Sequence, residues 1–212
     1  MEPETLRQRC IELLCKANDG HPGSVMSIVE IVCEVMPTLA LPKDKLIISP
    51  GHAGMVMYPI LHELGLITDE DIEHFRERGA RLSMFPHKGI PGIPVSCGSL
   101  GFGIGYGAGI ALAQPTAKVV VIISEGELYE GATWESLMFV RHYKLDNLRV
   151  IVNKNDAIIL GHPEECLSIP WDMLKPFKFV TVRQTVKGKG VPAWEGKYSS
   201  HYWTGDPYAP AT

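Results

Sequence analysis

Apolar residues recur at helical spacing in the first part of the chain. Three or four positions separate most of Leu6, Cys10, Leu13, Leu14 and Ala17, and the pattern ends at Asn18-Asp19-Gly20. This spacing predicts an amphipathic helix over 2–18. The mostly apolar segment 24–36 predicts a second, buried helix that ends before Pro37.

Short apolar runs further along the chain predict strands. Segments 118–124 (KVVVIIS) and 148–153 are continuous apolar runs of the kind found in a parallel sheet covered on both faces. Segment 132–143 between them predicts a helix, so the three together make a βαβ unit. Segments 45–49 and 177–186 predict two further strands. The predicted fold class is α/β, with a parallel sheet flanked by helices.

Three other segments have distinctive local patterns. Thr68 and Asp71 have capping-box spacing, which predicts the start of a polar helix over 69–78. Segment 81–98 is rich in proline and glycine and predicts an irregular connection. Segment 100–113 predicts a helix with five alternating glycines, each of which weakens it by roughly 1 kcal/mol relative to alanine. We therefore expect a backbone or a ligand to pack closely against this helix.

Composition limits the possible partners and compartments. The 212 residues carry a net charge of −4, and we expect a single domain over 1–212. A mildly acidic chain is a poor match for nucleic acid. No apolar run approaches the ~20 residues that span a membrane, so we expect a cytoplasmic protein. The five cysteines form no CxxC pair, so we expect neither a zinc site nor a disulfide framework.

Polar side chains follow the two best-defined strands of the predicted sheet. Glu125 comes directly after strand 118–124, and Asn155 follows strand 148–153. If these strands are neighbours, both side chains reach one edge of the sheet, where open parallel sheets bind ligands. Their oxygens suit a hard cation such as Mg²⁺, and Gly126 lets the backbone approach a phosphate. The alternative is that Glu125 caps the next helix and Asn155 forms a turn.

Five motifs in the same order resemble those of the transketolase family. They are GHPGS (20–24), SPGHAG (49–54), CGSLGFGIGYGAGIALA (97–113), the segment from EGELYEG to NKND (125–156) and TVKGKG (185–190). A lone Gly-Glu-Gly is a weak signal, whereas five motifs in the family's order are a strong one. The resemblance runs from residue 5 to about residue 207, and it implies the amino-terminal, diphosphate-binding half of a split transketolase.

The resemblance implies roles for individual residues. It makes Glu125 and Asn155 side-chain ligands of Mg²⁺, with the main-chain carbonyl of Ala157 as a third ligand. The residues implied to bind the cofactor, thiamine diphosphate, are Gly98, Leu100, Gly126, Glu127 and Asn155. The residues implied to be catalytic are His21, His52 and His201 in the substrate channel, and Glu130 at the contact that links two cofactor sites.

Three features depart from the family pattern. Glu125 stands where the family has aspartate, so Ca²⁺ or Mn²⁺ is an alternative to Mg²⁺. Phe85 stands where many relatives have the histidine of Gly-His-Pro and cannot donate a hydrogen bond to a sugar, a role in which His87 is a possible substitute. The chain is also short between about 161 and 177, so either it is a minimal version or a partner covers the exposed surface.

The function implied by the resemblance is transfer of a two-carbon ketol unit between sugar phosphates. The implied partner is a separate carboxy-terminal transketolase subunit that carries the pyrimidine-binding domain, and self-association of both chains implies an α₂β₂ heterotetramer. Two alternatives remain open. One is another thiamine diphosphate reaction, such as 1-deoxyxylulose-phosphate synthesis, and the other is a degenerate, non-catalytic transketolase-like binding module.

Overall fold

A computed structural model describes residues 1–202, so the last ten residues of the predicted domain lie outside the described part. The helices within it are α1 Pro3–Ala17, α2 Pro22–Ser27, α3 Val29–Val35, α4 Met57–Glu63, α5 Asp69–Glu73, α6 Gly103–Ala113, α7 Gly131–His142 and α8 Pro163–Cys166. The strands within it are β1 Lys45–Ile48, β2 Val119–Ser124, β3 Leu148–Lys154 and β4 Val180–Gln184.

The four strands form one parallel sheet in the order β1-β2-β3-β4. Strand β2, helix α7 and strand β3 are the predicted βαβ unit, and β2 and β3 are direct neighbours. Ser124 at the end of β2 pairs with Asn153 near the end of β3. The predicted α/β class is therefore confirmed, and the polar residues that follow both strands meet at one edge of the sheet.

Helices cover both faces of the sheet, which explains the continuous apolar strands. Val120 and Ile122 of β2 point to one face and pack into a core with α1, α2, α3 and α4. Val121 and Ile123 point to the other face and pack with α6 and α7. Because successive side chains of a strand alternate between faces, only a sheet buried on both sides needs every position to be apolar.

The glycines of α6 let this helix lie close to the sheet. A Cβ at Gly103 would overlap the Ser49 hydroxyl oxygen, and one at Gly107 would lie 2.6 Å from a methyl of Val121. Neither position has room for a side chain, so any larger residue would push α6 outward. The expectation of a close neighbour is confirmed for this face, whereas Gly109 faces open space.

The structure corrects the bounds of three predicted helices. Segment 24–36 is two helices, because the Ile28 amide bonds the Val25 carbonyl in a tight turn that separates α2 from α3. The capping box at Thr68 is present, but α5 ends at Glu73 and Arg76 has a left-handed φ of 68°. Helix α6 begins at Gly103 rather than at residue 100, since Gly101 has a φ of 82°.

Apolar side chains are exposed around the short connection between β3 and β4. The most exposed are Ile159, Leu160, Leu167 and Met173, which keep between 57% and 77% of their surface accessible. Strand β4, at the edge of the sheet, has mostly exposed residues. Within residues 1–202, no helix combines the length and apolar character needed to cross a membrane.

Candidate active site

A cavity of about 440 Å³ opens at the carboxyl ends of β2 and β3. Its floor is polar and its outer wall is apolar, the combination typical of cofactor sites. The polar residues that line it include Ser24, His52, Glu125, Asn155, Lys187 and His201, and the apolar ones include Ile158, Ile159, Leu160 and Leu167.

Glu125 lies at the floor of the cavity and is only 2% exposed. Its Oε1 accepts hydrogen bonds from the backbone amides of Asn155 at 2.9 Å and Ala157 at 3.2 Å. Its Oε2 is buried and has no hydrogen-bond partner. Burial raises the pKa of this carboxyl group, while the two amides oppose that shift. A buried carboxylate oxygen without a partner is costly unless a cation or a donor completes it.

The capping role that we considered for Glu125 belongs to other residues. Ser124 caps the turn that follows β2, and Glu127 completes its capping box. The other alternative is observed, because the Asn155 Oδ1 accepts a hydrogen bond from the Ala157 amide at 3.1 Å and so forms a local turn. This turn holds the Asn155 side-chain oxygen at the cavity floor beside Glu125.

Three oxygens at this floor suit a hard cation. The Glu125 Oε2 lacks a partner, the Asn155 Oδ1 accepts one hydrogen bond, and the Ala157 carbonyl accepts one from the Lys187 ammonium at 2.9 Å. Carboxylate, amide and carbonyl oxygens are the donors that Mg²⁺ and Ca²⁺ take. Among the described residues, no three His, Cys, Asp or Glu side chains cluster as a metal site. The set at the cavity floor differs from such a cluster, because Glu125 is its only member of those four residue types.

Lys187 is a site residue that our sequence reasoning did not single out. Its side chain is 2% exposed, and burial lowers its pKa to about 8 despite the nearby carboxylate of Glu125. A buried ammonium at the floor of a cavity is costly on its own and suits an anionic ligand. The signal available in the sequence was a lysine in the glycine-rich motif TVKGKG, directly after the last predicted strand.

The three predicted catalytic histidines form one cluster, in which His52 and His201 line the cavity and His21 contacts both of them without being part of its wall. The ring of His21 is 4.9 Å from that of His52 and 5.4 Å from that of His201, measured between centroids. Burial, with the neighbouring cationic groups, lowers the pKa of His52 to about 3 and that of His201 to about 4, and burial also lowers the pKa of His21. All three imidazoles are therefore neutral near pH 7, so each ring offers one donor and one acceptor.

Three of the remaining predicted site residues, namely Leu100, Gly126 and Glu130, line the cavity. Gly98 is exposed and lies outside the cavity wall. Glu127 is completely buried beneath the cavity rather than on its wall. The roles predicted for Gly98 and Glu127 in cofactor binding stay predictions.

Glu127 instead ties three segments together below the site. Its Oε1 accepts hydrogen bonds from the Ser49 hydroxyl at 2.5 Å and the Gly101 amide at 2.9 Å. Its Oε2 accepts one from the Ser124 amide at 2.8 Å. Through these bonds the carboxylate connects the end of β1, the start of the glycine-rich segment and the end of β2. The residue thereby supports the cavity from below.

Phe85 stands next to the histidine cluster, with its ring centroid 6.4 Å from that of His21. His87 does not replace it as a donor in the site. Its Nδ1 and Nε2 lie 3.2 Å and 3.1 Å from the carbonyls of Lys88 and Arg81, and its ring is exposed. Phe85 therefore places an aromatic ring without a hydrogen-bond donor beside His21.

Comparison with known protein families identifies the family and the fold. Residues 3–181 match the family model of the transketolase thiamine diphosphate-binding domain. The chain belongs to the transketolase family. The predictions of this family, of its fold class and of a thiamine diphosphate-binding domain are thus confirmed.

Relatives of two lengths are similar to this transketolase domain. It is 29% identical to one of the subunits of an apulose-4-phosphate transketolase from Phocaeicola vulgatus, over 95% of this chain and 87% of that relative. The alignment covers 245 positions although this chain has 212 residues, so the relative contains segments that are absent here. Human transketolase is 28% identical over 92% of this chain, but only 38% of the human protein is matched.

Solved structures agree with this assignment. Transketolase from Campylobacter jejuni superposes with a TM-score of 0.85 at 25% identity, over 95% of this chain and 40% of that protein. The Leishmania mexicana transketolase has a TM-score of 0.83 at 22% identity, which supports the fold alone. The chain thus spans about two fifths of these transketolases. The relative of subunit length, matched over most of its own length, supports the prediction of an amino-terminal subunit of a transketolase-type transferase.

Proposed function

We propose that this chain is the cofactor-binding subunit of a two-chain transketolase that transfers a two-carbon ketol unit between sugar phosphates. The observation that carries the proposal is the partnerless Oε2 of Glu125, buried beside two further oxygens at the floor of the cavity. In a member of the transketolase family, that donor set would suit a divalent cation bound together with the diphosphate of thiamine diphosphate.

Glu125, Asn155 and Ala157 would hold the cation. The extra methylene of glutamate, relative to the aspartate of the family, lets Oε1 reach the amides of Asn155 and Ala157 while Oε2 stays available. Mg²⁺ is the cation that we propose, with Ca²⁺ or Mn²⁺ as the alternatives because glutamate alters the reach of the ligand.

Lys187 would bind the diphosphate directly. Its ammonium lies at the cavity floor, 2.9 Å from the Ala157 carbonyl, and is removed from solvent. A buried ammonium forms charge-assisted hydrogen bonds to phosphate oxygens that are stronger than those in water. The cation and Lys187 together would neutralise most of the charge of the diphosphate.

The histidines would bind the oxygens of the sugar. When bound, thiamine diphosphate supplies the nucleophilic carbon that takes up and passes on the two-carbon unit. Neutral His21 and His201 can each donate a hydrogen bond to one sugar oxygen and accept one from another, and His52 can offer its Nδ1. The hydrogen bond between the His52 Nε2 and the Ser24 hydroxyl, at 3.2 Å, fixes the orientation of that ring. Phe85 gives this cluster no further donor, so the preferred sugar differs from that of relatives with histidine.

A second chain would complete the enzyme. The chain matches about two fifths of full-length transketolases and most of a relative whose name describes it as a subunit. Apolar side chains are exposed on the outer faces of α6 and α7 and at the mouth of the cavity. They are Phe102, Tyr106, Leu112, Met138, Phe139, Tyr143, Ile159, Leu160 and Leu167. We propose that a carboxy-terminal subunit with the pyrimidine-binding domain covers part of this surface, and that the two chains assemble as a heterotetramer.

Calorimetric titration of the assembled protein with thiamine diphosphate, with and without Mg²⁺, tests this function. We expect Mg²⁺-dependent binding in the wild type and its loss in Glu125→Ala. Glu125→Gln keeps the Oε1 acceptor for the two amides but removes the charge. It therefore tests cation binding while the hydrogen bonds that hold the loop remain. Glu73→Ala, an exposed carboxylate on α5, is the matched control and should bind like the wild type. Unchanged affinity in both Glu125 variants would remove this residue from the metal site.

A further inference from the structure

The loop 187–190, here called the lysine loop, carries Lys187 into the cavity. Its backbone is in the left-handed region at Gly188, with φ 70°, and at Gly190, with φ 82°. The Gly188 amide donates to the Gly23 carbonyl at 3.0 Å. A Cβ at Gly23 would lie 2.9 Å from the Cγ of Lys187. The start of α2 therefore packs tightly against one side of the loop.

Arg7 of α1 packs against the other side of the lysine loop. Its side chain is only 3% exposed, although arginine is seldom buried in protein interiors. Its Nη1 donates to the Lys189 carbonyl at 2.5 Å. A Cβ at Gly190 would lie 2.5 Å from the Arg7 Nε, so the loop backbone is in direct contact with the guanidinium. Arg7 does not line the cavity.

Glu30 of α3 fixes the guanidinium and one side chain of the loop. The Arg7 Nη2 donates to the Glu30 Oε1 at 2.5 Å, and the Lys189 ammonium lies 3.0 Å from the same oxygen. Although burial opposes it, the hydrogen bonds from Lys189 and Arg7 lower the pKa of Glu30, so the carboxylate is charged near pH 7. One carboxylate thereby connects α1, α3 and the lysine loop.

An ion pair with one buried partner, such as Arg7 with the half-buried Glu30, is a poor source of stability alone, because well-packed apolar residues of similar volume often stabilise a protein equally well. Its specific effect is geometric, since a planar guanidinium with fixed donors sets the position of the carbonyl that it binds. That carbonyl belongs to Lys189, two residues after Lys187. We propose that Arg7, oriented by Glu30, is a positioning residue that sets the lysine loop so that the Lys187 ammonium meets the diphosphate of thiamine diphosphate. This inference rests on the proposed function.

The test compares thiamine diphosphate with thiamine, which lacks the diphosphate, in calorimetric titrations of the assembled protein with Mg²⁺. In Arg7→Met we expect thiamine diphosphate to bind about tenfold more weakly, because one charge-assisted contact is lost. We expect the binding of thiamine to be unchanged. Arg7→Lys should recover part of the loss, because an ammonium can still donate to the Lys189 carbonyl. Glu34→Gln, an exposed carboxylate on the same helix as Glu30, is the matched control.

A double-mutant cycle separates positioning from general stability. In the Lys187→Met background, Arg7→Met should cause no further loss of thiamine diphosphate affinity, because the group that it positions is gone. Additive losses, equal losses for both ligands, or unchanged affinity in Arg7→Met would each overturn the proposal. If Arg7→Met does not fold, Glu30→Gln must show the selective loss, and its absence would overturn the proposal too. A wild type that binds no thiamine diphosphate would instead refute the proposed function, on which this one rests.

Discussion

Replacing Lys187 with methionine should weaken cofactor binding while leaving the fold intact. The two side chains have similar length, so the methionine would fill the same volume at the cavity floor. Only the positive charge and its hydrogen bond to the Ala157 carbonyl, at 2.9 Å, would be lost. The variant therefore separates the binding role of the ammonium from its packing.

The effect of this substitution on stability is small because two terms oppose each other. Burial lowers the pKa of Lys187 from 10.5 to about 8, so holding the charge in the folded state costs about 3 kcal/mol, which methionine would recover. The substitution leaves a buried carbonyl without its donor, at a cost of ~1–3 kcal/mol. We expect the free energy of unfolding to change by less than ~2 kcal/mol.

The loss of cofactor affinity has no such opposing term. A hydrogen bond to a charged group contributes ~1.5–3 kcal/mol, which corresponds to about 10- to 150-fold in the dissociation constant. Titration calorimetry with thiamine diphosphate and Mg²⁺ measures the affinity, and urea unfolding measures the stability. Lys178→Met, which removes an exposed lysine, is the control. Unchanged affinity in the Lys187 variant, or a loss of affinity explained by unfolding, would refute the role given to the ammonium.

Two further predictions concern the core and the histidine cluster. Gly107→Ala should lower the free energy of unfolding by ~1–3 kcal/mol, because its Cβ would lie 2.6 Å from Val121. Gly109→Ala, on the open face, should raise the free energy of unfolding by ~0.5–1 kcal/mol. Equal effects of the two substitutions in urea unfolding would contradict the packing of α6. His52 stays neutral in the folded protein down to about pH 3, whereas in the unfolded chain it takes up a proton below about pH 6.5. The free energy of unfolding should therefore fall by about 2 kcal/mol between pH 7 and pH 5 because of His52. A His52→Gln variant whose free energy of unfolding falls equally steeply over this pH range would disprove this.

Local patterns in the sequence were enough to predict the sheet and one side of the site. The apolar runs that became β2 and β3 are long and are flanked by turn residues, so their ends placed Glu125 and Asn155 at one edge. The capping box at Thr68 depends on a spacing of three residues and is present in the structure. These features rest on contacts between neighbours in the sequence, which periodicity and spacing reveal.

The features that the sequence did not reveal depend on contacts between distant segments. Lys187 is buried because its loop lies against α1 and α2, more than 160 positions earlier in the chain. The break between α2 and α3 follows Ser27, whose hydroxyl accepts hydrogen bonds from the side chains of Asn153 and Asn155. Glu127 supports the cavity from below because its acceptors meet donors from three separate segments. No local pattern indicates such contacts.

The most direct test of the two-chain account is purification of this protein from its native cell, followed by an assay for ketol transfer. We predict a stoichiometric companion that carries a pyrimidine-binding domain. The assembly should transfer a two-carbon unit from a ketose phosphate to an aldose phosphate in the presence of thiamine diphosphate and Mg²⁺, and neither chain should do so alone. Turnover by this chain alone, or its recovery without a companion and without activity, would contradict the account.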